Sequence, residues 1–204
     1  AAIKNTGAEV RFVDIGKDFL IDVKKIENVI NPKTKAIIPV HLFGQTCDMN
    51  EILSISKKYN LKIVEDCAQA VGAKYKDQNV GTFGVIGCFS LHPLKTLSAC
   101  GDGGIITTND PDLCRQFGLL RNHGLKTRED CITWSHNSRL DTLQAAMLLV
   151  KMKYLDDWTE RRRKNALYYQ KHLAQIEQIE LPQDQSYEWA VYHTFIIQSD
   201  RRDA

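Results

Sequence analysis

The chain alternates short apolar stretches with polar or Gly- and Pro-containing stretches, and this pattern predicts its secondary structure. Alternating positions are typical of a half-buried strand, whereas apolar positions three or four apart are typical of an amphipathic helix. The pattern first predicts a strand at 9–14, a helix at 22–30, a strand at 35–40, a helix from Asp48 or Met49 to Tyr59, and a strand at 61–65. Strand, helix and strand at this spacing form a βαβ unit, so we expect parallel pairing there.

The rest of the chain continues the pattern with longer helices. It predicts strands at 87–90, 105–108 and 192–197, a helix at 111–120, and a long helix from Asp141 to about Ile176. The regular alternation of strands and helices indicates an α/β fold. In open α/β sheets, ligands bind beyond the carboxyl ends of the strands. Three polar side chains follow such ends: His41, Asp66 and Ser90.

Composition and charge narrow the class of protein. The 27 Lys and Arg nearly balance the 25 Asp and Glu, and the formal net charge is +2. Nothing therefore indicates a nucleic-acid or membrane partner, which would need a concentrated basic face. The densest basic run, at 161–164, is predicted to be a solvated helix face. No signal peptide and no apolar run near the ~18 residues of a membrane span is visible, so we expect a cytoplasmic protein.

The six cysteines have no spacing typical of a metal site. None is part of a C-x-x-C pair or placed with His as zinc sites require, so we expect reduced thiols and no metal. The ends of the chain are unusual, because it begins at Ala1 without Met and stops at Ala204 just after an apolar run. We expect it to be cut from a longer protein.

Asp66 begins the sequence Asp66-Cys67-Ala68-Gln69, directly after a predicted buried strand. A carboxylate in such a place is costly unless a cationic group pairs with it. One such group is the protonated pyridine nitrogen of pyridoxal phosphate, where the pairing makes the cofactor an electron sink. The alternative role is the N-cap of a helix in the segment that follows.

Lys95 ends the sequence Ser90-Leu91-His92-Pro93-Leu94-Lys95, which follows the next predicted strand. A catalytic lysine needs a rigid position, and a short loop stiffened by Pro93 would provide it. Ser90 could donate a hydrogen bond to a phosphate, but an ordinary surface lysine is the alternative. The Gly-rich stretch at 101–104 is compatible with a hairpin turn. It has neither the spacing of a P-loop nor that of a dinucleotide-binding motif.

The order of these motifs resembles the DegT/DnrJ/StrS-type aminotransferases, which are pyridoxal-phosphate enzymes of fold type I. The resemblance covers nearly all 204 residues and rests on Val64-Glu65-Asp66-Cys67-Ala68-Gln69-Ala70, Gly81-Thr82-Phe83-Gly84, Phe89-Ser90-Leu91-His92-Pro93-Leu94-Lys95 and Gly101-Asp102-Gly103-Gly104. It implies an incomplete α/β large domain of the three-layer, aspartate aminotransferase type at 1–140. A long connecting helix would occupy 141–180, and a small C-terminal domain would start at 181–204.

The resemblance also implies a set of cofactor-binding residues. Lys95 would hold pyridoxal phosphate as a Schiff base and later carry the proton of the reaction. Asp66 would pair with the pyridinium nitrogen, Gln69 would lie beside the ring near its phenolic oxygen, and Ser90 would bind the phosphate. Asn137 would reach the phosphate site of a partner subunit, which implies a homodimer with shared active sites.

Three further residues are expected near the site. His92 and His41 fall close to it, and His41 is as compatible with a structural role as with a functional one. Arg139 would hold the Asn137 loop or touch substrate.

Val85 stands where the family usually has Asp, and for this difference we expect only a change of packing. The family's phosphate-binding Gly-Thr or Gly-Ser segment lies N-terminal to everything here, so these residues alone should bind cofactor weakly or not at all.

The implied reaction transfers an amino group, with glutamate as the expected donor, to a nucleotide-linked keto sugar. A family dehydratase carries His at the position of Lys95, which argues against dehydration, whereas an aminated aromatic acid as product stays open. A non-catalytic truncated or regulatory paralogue that keeps the fold and dimer surface is the alternative from another class. A desulfurase of the same fold would need a mobile catalytic cysteine, for which Cys100 is the residue to test.

Overall fold

The computed structural model describes residues 1–201. Its strands are β1 (Ala36–Ile37), β2 (Lys62–Asp66), β3 (Lys74–Tyr75), β4 (Gln78–Asn79), β5 (Ile86–Ser90), β6 (Gly104–Thr107) and β7 (Glu188–Trp189). Its α-helices are α1 (Ala2–Asn5), α2 (Val23–Ile26), α3 (Met49–Tyr59), α4 (Pro111–Leu120), α5 (Thr142–Met152) and α6 (Leu155–Leu173). Two 3₁₀ turns lie at Glu27–Val29 and Leu42–Gly44.

A four-stranded sheet in the order β1-β2-β5-β6 forms the centre of the fold. β2 pairs parallel to β1 and to β5, with Asp66 opposite Cys88, while β6 returns antiparallel to β5. The predicted parallel βαβ unit is therefore confirmed. Because parallel strands end at the same edge of a sheet, Asp66 at the end of β2 and Ser90 at the end of β5 share one edge.

Helix α3, which connects β1 to β2, forms where the apolar periodicity predicts it. Asp48 caps its N-terminus by accepting a hydrogen bond from the Glu51 N–H at 3.4 Å, and Asn60 ends it in the left-handed conformation. Met49, Ile52 and Ile55 are buried and pack with the apolar side chains of β1 and β2. Burial of such a stripe is the main source of stability for a helix of this length.

The single helix predicted from 141 to 176 is wrong, because the structure has two helices there, α5 and α6. In the last turn of α5, Lys151 Nζ donates hydrogen bonds to the carbonyl and hydroxyl of Ser98, at 2.6 and 3.2 Å. Asp156 and Asp157 lie in the first turn of α6, where acidic side chains favour a helix start. Local contacts thus override a continuous helical pattern.

Two predicted strands, at 9–14 and 192–197, do not form within residues 1–201. The first lacks a partner strand there and leaves Phe12 88% exposed. An isolated strand cannot satisfy its own backbone groups. The second is interrupted at its first residue, because Tyr192 has a φ of +47°. The strand of this region is instead β7, which joins β3 and β4 in a small antiparallel sheet.

The basic run at 161–164 is only partly solvated, which corrects the prediction. Arg163 forms an ion pair with Asp184 at 3.2 Å and donates to the Ala190 carbonyl at 2.5 Å. Arg162 donates to the Tyr192 carbonyl at 3.3 Å. These contacts attach the segment after β7 to α6.

All six cysteines are free, and within residues 1–201 none of the helices has the length and apolar character needed to cross a membrane.

Candidate active site

The candidate site lies at the carboxyl edge of the sheet, where several segments converge. The backbone N–H of His41 donates to the Asp66 carbonyl at 3.0 Å, and the Cys67 N–H donates to the Cys88 carbonyl at 2.8 Å. These bonds continue the strand pairing beyond β1 and β2, so the segment after each strand is held beside its neighbour. The sheet therefore brings the segments that follow His41, Asp66 and Cys88 to one place.

The Asp66 carboxylate is half-buried at this edge. Its Oδ1 accepts a hydrogen bond from the Ala68 N–H at 3.0 Å. No lysine, arginine or histidine of the described chain forms an ion pair with it. The alternative N-cap role is not realised, because turns rather than a helix connect β2 to β3. A half-buried carboxylate with free acceptor capacity remains available to a cationic group.

Gln69 is fixed through the loop formed by Phe43 and Gly44. Its Oε1 accepts a hydrogen bond from the Phe43 N–H at 2.7 Å, which leaves the side-chain NH₂ group as a donor. Phe43 and Gly44 both have positive φ, 61° and 89°. A Cβ at Gly44 would lie 2.8 Å from Val191 Cγ2 and 2.9 Å from the His193 N atom. Only glycine therefore permits this loop to approach the C-terminal segment so closely.

The segment from Ser90 to Lys95 is ordered by its own hydrogen bonds. Ser90 Oγ accepts from the His92 N–H at 3.3 Å, and His92 Nδ1 accepts from the Leu94 N–H at 3.2 Å. The Lys95 N–H donates to the His92 carbonyl at 2.8 Å, and Leu91 is fully buried. Hydrogen bonds from backbone N–H groups, two of them to side chains of the same segment, thus add to the rigidity expected from Pro93. Ser90, His92 and Lys95 lie together on this segment.

Asn137 and Arg139 lie on an exposed loop. Asn137 Oδ1 accepts hydrogen bonds from the Arg139 N–H at 3.2 Å and from its Nε at 3.1 Å. Within residues 1–201, no hydrogen bond joins either side chain to Asp66, Ser90 or Lys95. The loop therefore holds its own conformation and projects both side chains outward.

His41 is fully buried and both of its ring nitrogens are engaged. Nδ1 accepts a hydrogen bond from the Cys47 N–H at 3.2 Å, so the ring proton is on Nε2. Nε2 then donates to Glu65 Oε2 at 3.2 Å. With no free polar atom left on the ring, this geometry favours a structural role for His41 over contact with substrate.

Glu65 is the main site-forming residue that the sequence did not reveal. Its fully buried carboxylate accepts hydrogen bonds from the N–H groups of Gly81, Phe83 and Gly84, each at 2.7 Å, and from His41. Burial alone would raise the pKa of the Glu65 carboxyl. The bonds from His41, Gly84 and Gly81 outweigh it and hold the pKa below its ordinary value. A Glu in an inward-facing position of a buried strand was the available signal.

One group of metal-ligating side chains occurs at this place, although none was expected. Ligand atoms of His41, Glu65 and Cys67 lie within 4.8 Å of one another. Hydrogen bonds already satisfy the imidazole and the carboxylate. Burial also raises the pKa of the Cys67 thiol, and a metal would need the thiolate. The cluster is therefore a hydrogen-bonded part of the core.

His193 is a second residue near the site that the sequence did not single out. Its Nδ1 is buried and has no hydrogen-bond partner in the described residues. Burial, followed by the positive charges of Lys95 and Arg162, lowers the pKa of the imidazole. The ring is therefore neutral near pH 7. No periodicity or motif could have identified it, since its contacts with Gly44 and Arg162 arise only in the fold.

The fold is that of the pyridoxal-phosphate-dependent aminotransferases of fold type I. The crystal structure of DesV from S. venezuelae in complex with a ketimine intermediate has a TM-score of 0.96 and 38% identity, over 99% of this chain and 55% of that one. Residues 1–204 match the DegT/DnrJ/EryC1/StrS aminotransferase family. The chain belongs to this family, and its members use pyridoxal phosphate.

Two relatives show the range of names within the family. A dTDP-3-amino-3,6-dideoxy-alpha-D-galactopyranose transaminase of Aneurinibacillus thermoaerophilus is 48% identical over 184 residues, 90% of this chain and 50% of the relative. A pleiotropic regulatory protein of Geobacillus stearothermophilus is 42% identical over 205 residues, 99% of this chain and 55% of the relative. The chain thus spans about half the length of the relatives it matches.

Proposed function

We propose that this chain forms part of a pyridoxal-phosphate-dependent aminotransferase that moves an amino group from an amino acid, glutamate by preference, to a nucleotide-linked keto sugar. The main support for this proposal is that the Asp66 carboxylate has no cationic partner among residues 1–201 and shares its edge of the sheet with the Ser90–Lys95 segment. The name of the A. thermoaerophilus relative, a dTDP-sugar transaminase, supports a nucleotide sugar as acceptor. The product would serve amino-sugar biosynthesis in the cytoplasm.

The free polar groups of the site fit the cofactor. Asp66 offers a half-buried carboxylate to the pyridinium nitrogen, and Gln69 offers its NH₂ group to the phenolic oxygen. Ser90 Oγ already accepts one bond from His92, so its hydroxyl proton is free for a phosphate oxygen. Lys95 has an amine without an ion pair in the described part of the chain, as a nucleophile toward a carbonyl requires.

When bound, pyridoxal phosphate would supply the electron sink that stabilises a carbanion at the carbon of the amino donor. Asp66 would hold the ring nitrogen in its protonated form, because a negative charge beside the nitrogen favours the cation. Lys95 would accept a proton from the donor carbon and donate it again during the transfer. General acid–base catalysis of this kind typically contributes ~10²–10⁴-fold. Ser90 and Gln69 would hold the phosphate and the phenolic oxygen of the cofactor and so fix its position relative to Lys95.

We also propose that the active protein is a homodimer with shared sites. Asn137 and Arg139 are exposed and form no hydrogen bond with their own Ser90–Lys95 segment within residues 1–201, so a partner's site is where they would act. Exposed apolar side chains nearby, with Trp134 at 95% and Leu143 at 80%, support a partner surface here. The large domain would extend over 1–140, the connecting region of α5 and α6 over 141–180, and the small domain from 181.

The test is trapping of the cofactor on Lys95 in the protein as its gene encodes it. The loaded protein is expected to absorb visible light, and borohydride reduction should fix the cofactor to the peptide that contains Lys95. Lys95→Ala should lose both signals. The matched control is Lys33→Ala, an exposed turn lysine remote from the site, which should keep both. Absence of the chromophore in wild-type protein would refute the enzyme hypothesis.

A regulatory paralogue without catalysis is the second candidate, and the name of the G. stearothermophilus relative favours keeping it. It predicts a folded protein that dimerises but does not transfer an amino group. A spectral screen of the pyridoxamine form against a panel of nucleotide keto sugars separates the two. Return of the visible band with one sugar identifies an enzyme and its substrate, whereas no return with any sugar supports the regulatory hypothesis.

A further inference from the structure

A cavity with a volume of about 200 Å³ lies between three segments of the fold, 17–19, 43–45 and 180–198. In the last of these segments, the backbones of Glu180 and Gln198 exchange two hydrogen bonds, at 2.9 and 3.0 Å. None of the proposed cofactor-binding residues lines this cavity. It is therefore a separate space with a wall held in place by backbone pairing.

Three aromatic residues with strained backbones line the cavity. Phe19, Phe43 and Tyr192 have positive φ angles of 64°, 61° and 47°, a conformation that is costly for a bulky side chain. No other Phe, Tyr or Trp of the described residues has a positive φ. The rings of Phe19 and Phe43 meet edge to face, with centroids 5.7 Å apart. Because strained residues cluster where proteins hold ligands, this arrangement indicates a binding site.

Gln45 adds a buried amide to the same wall. The residue is only 8% exposed and lines the cavity, and its side chain forms no hydrogen bond within residues 1–201. Buried polar groups are almost always paired in folded proteins, so an unpaired amide calls for an explanation. Its carbonyl can accept one hydrogen bond while its NH₂ group donates another. Two neighbouring hydroxyl groups of a ligand would satisfy both.

Charge and size narrow the class of ligand. Lys17 provides one positive charge in the lining, whereas Asp18 and Glu180 provide two negative charges. The excess of carboxylates disfavours phosphates and other anions. A cavity of about 150 Å³ is large enough for benzene. The volume here therefore suits one six-membered ring with its substituents, without a net negative charge.

We propose that this cavity binds the ring of an uncharged sugar of hexose size. Adjacent hydroxyl groups of the sugar bind the amide of Gln45, and C–H groups of the sugar ring pack against the electron-rich faces of Phe19 and Phe43. The proposal is independent of the proposed function, because it needs neither the cofactor nor Lys95. Failure of borohydride to fix cofactor to Lys95 would leave it standing.

The first test is calorimetric titration of the protein as its gene encodes it with D-glucose, D-galactose and D-mannose. We expect at least one of them to bind saturably, with a dissociation constant on the order of 1 mM for so small a ligand. Cyclohexanol has a six-membered ring without adjacent hydroxyl groups and should bind at least about tenfold more weakly. Inorganic phosphate should not bind. Absence of saturable binding by all three sugars would overturn the proposal, as would equal binding of cyclohexanol.

The second test replaces the buried amide. Gln45→Leu should weaken sugar binding about tenfold, as for loss of hydrogen bonds to an uncharged group. It should also raise the Tm by about 2–4 °C, because it removes an unpaired polar group from the interior. The matched control is Gln116→Leu on α4, since Gln116 is exposed and does not line the cavity. Unchanged sugar affinity in Gln45→Leu, or a lowered Tm, would contradict the role of Gln45.

The third test removes one aromatic ring. Phe19→Leu keeps an apolar side chain but should weaken sugar binding about three- to tenfold. The control is Phe12→Leu, because Phe12 is 88% exposed and lies outside the cavity wall. Should Gln45→Leu not fold, Phe19→Leu and the sugar titrations still decide. Wild-type affinity in Phe19→Leu would refute the packing of the sugar on this ring.

Discussion

Replacing Glu65 by Ala should remove most of the hydrogen bonds that hold the candidate site together and lower the free energy of unfolding. The substitution leaves one buried and two part-buried N–H groups, each now bonded at 2.7 Å, and the Nε2–H of His41 without an acceptor. Each unpaired buried donor costs about 1–3 kcal/mol, although such losses are not additive. We expect a loss of about 3–5 kcal/mol, because four donors lose their acceptor at once and their individual costs do not fully add. That is a large part of the ~5–15 kcal/mol that stabilises a typical domain.

Glu65→Gln separates the charge from the shape. One amide oxygen can still accept, but the NH₂ group would face an N–H group of the Gly81–Gly84 turn. We expect a smaller loss, about 1–3 kcal/mol. The control is Glu27→Ala, because Glu27 forms only an exposed ion pair with Lys58 at 2.8 Å, and its removal should cost less than about 1 kcal/mol.

The pH dependence of the wild type provides an independent check. Because the folded protein lowers the pKa of Glu65, this carboxylate adds stability above its unfolded pKa of about 4.3. The contribution is lost as the pH falls through the lower, folded pKa. Urea unfolding can be monitored by far-UV circular dichroism between pH 3 and 7, with about one measurement per half pH unit. The free energy of unfolding should show this loss at low pH in the wild type but not in Glu65→Gln. A Glu65→Ala midpoint equal to that of Glu27→Ala would refute the reasoning.

Two further substitutions test other contacts. Asp66→Asn should leave the free energy of unfolding within about 0.5 kcal/mol of wild type but weaken cofactor binding about ten- to hundredfold in an absorbance titration. The control is the exposed Asp102→Asn, which should change neither quantity. Normal cofactor affinity in Asp66→Asn would contradict the role assigned to Asp66. Arg163→Ala removes the ion pair with Asp184 and the bond to a backbone carbonyl. Chemical denaturation should therefore show a loss of about 2–3 kcal/mol, against less than about 1 kcal/mol for the exposed Arg161→Ala.

The elements that the sequence predicted correctly depend on local periodicity. The stripe of Ile52 and Ile55, with Asp48 as cap, is sufficient to define α3, and the strand before Asp66 is a short buried run. The strand predicted at 9–14 has the same kind of pattern but no partner within residues 1–201. A strand depends on a neighbour that periodicity cannot report, so this prediction failed.

The site residues follow the same division. Asp66 and Lys95 belong to motifs whose order along the chain resembles a known family, so the sequence could nominate them. Glu65 and His193 became visible only through contacts between distant segments, such as the bonds of Glu65 to the turn at 81–84. A single sequence identifies the residues, but it does not show which of them lie close together in the fold.

The loop of Phe43 and Gly44 connects two regions mechanically. Its Phe43 N–H is bonded to Gln69 at 2.7 Å, while the carbonyls of Phe43 and Gly44 accept from Thr194 at 3.4 Å and Val191 at 2.9 Å. Hydrogen bonds of these two residues thus couple the position of the C-terminal segment to that of the edge of the sheet. Any displacement of that segment must either carry the Gln69 side chain with it or break one of these bonds.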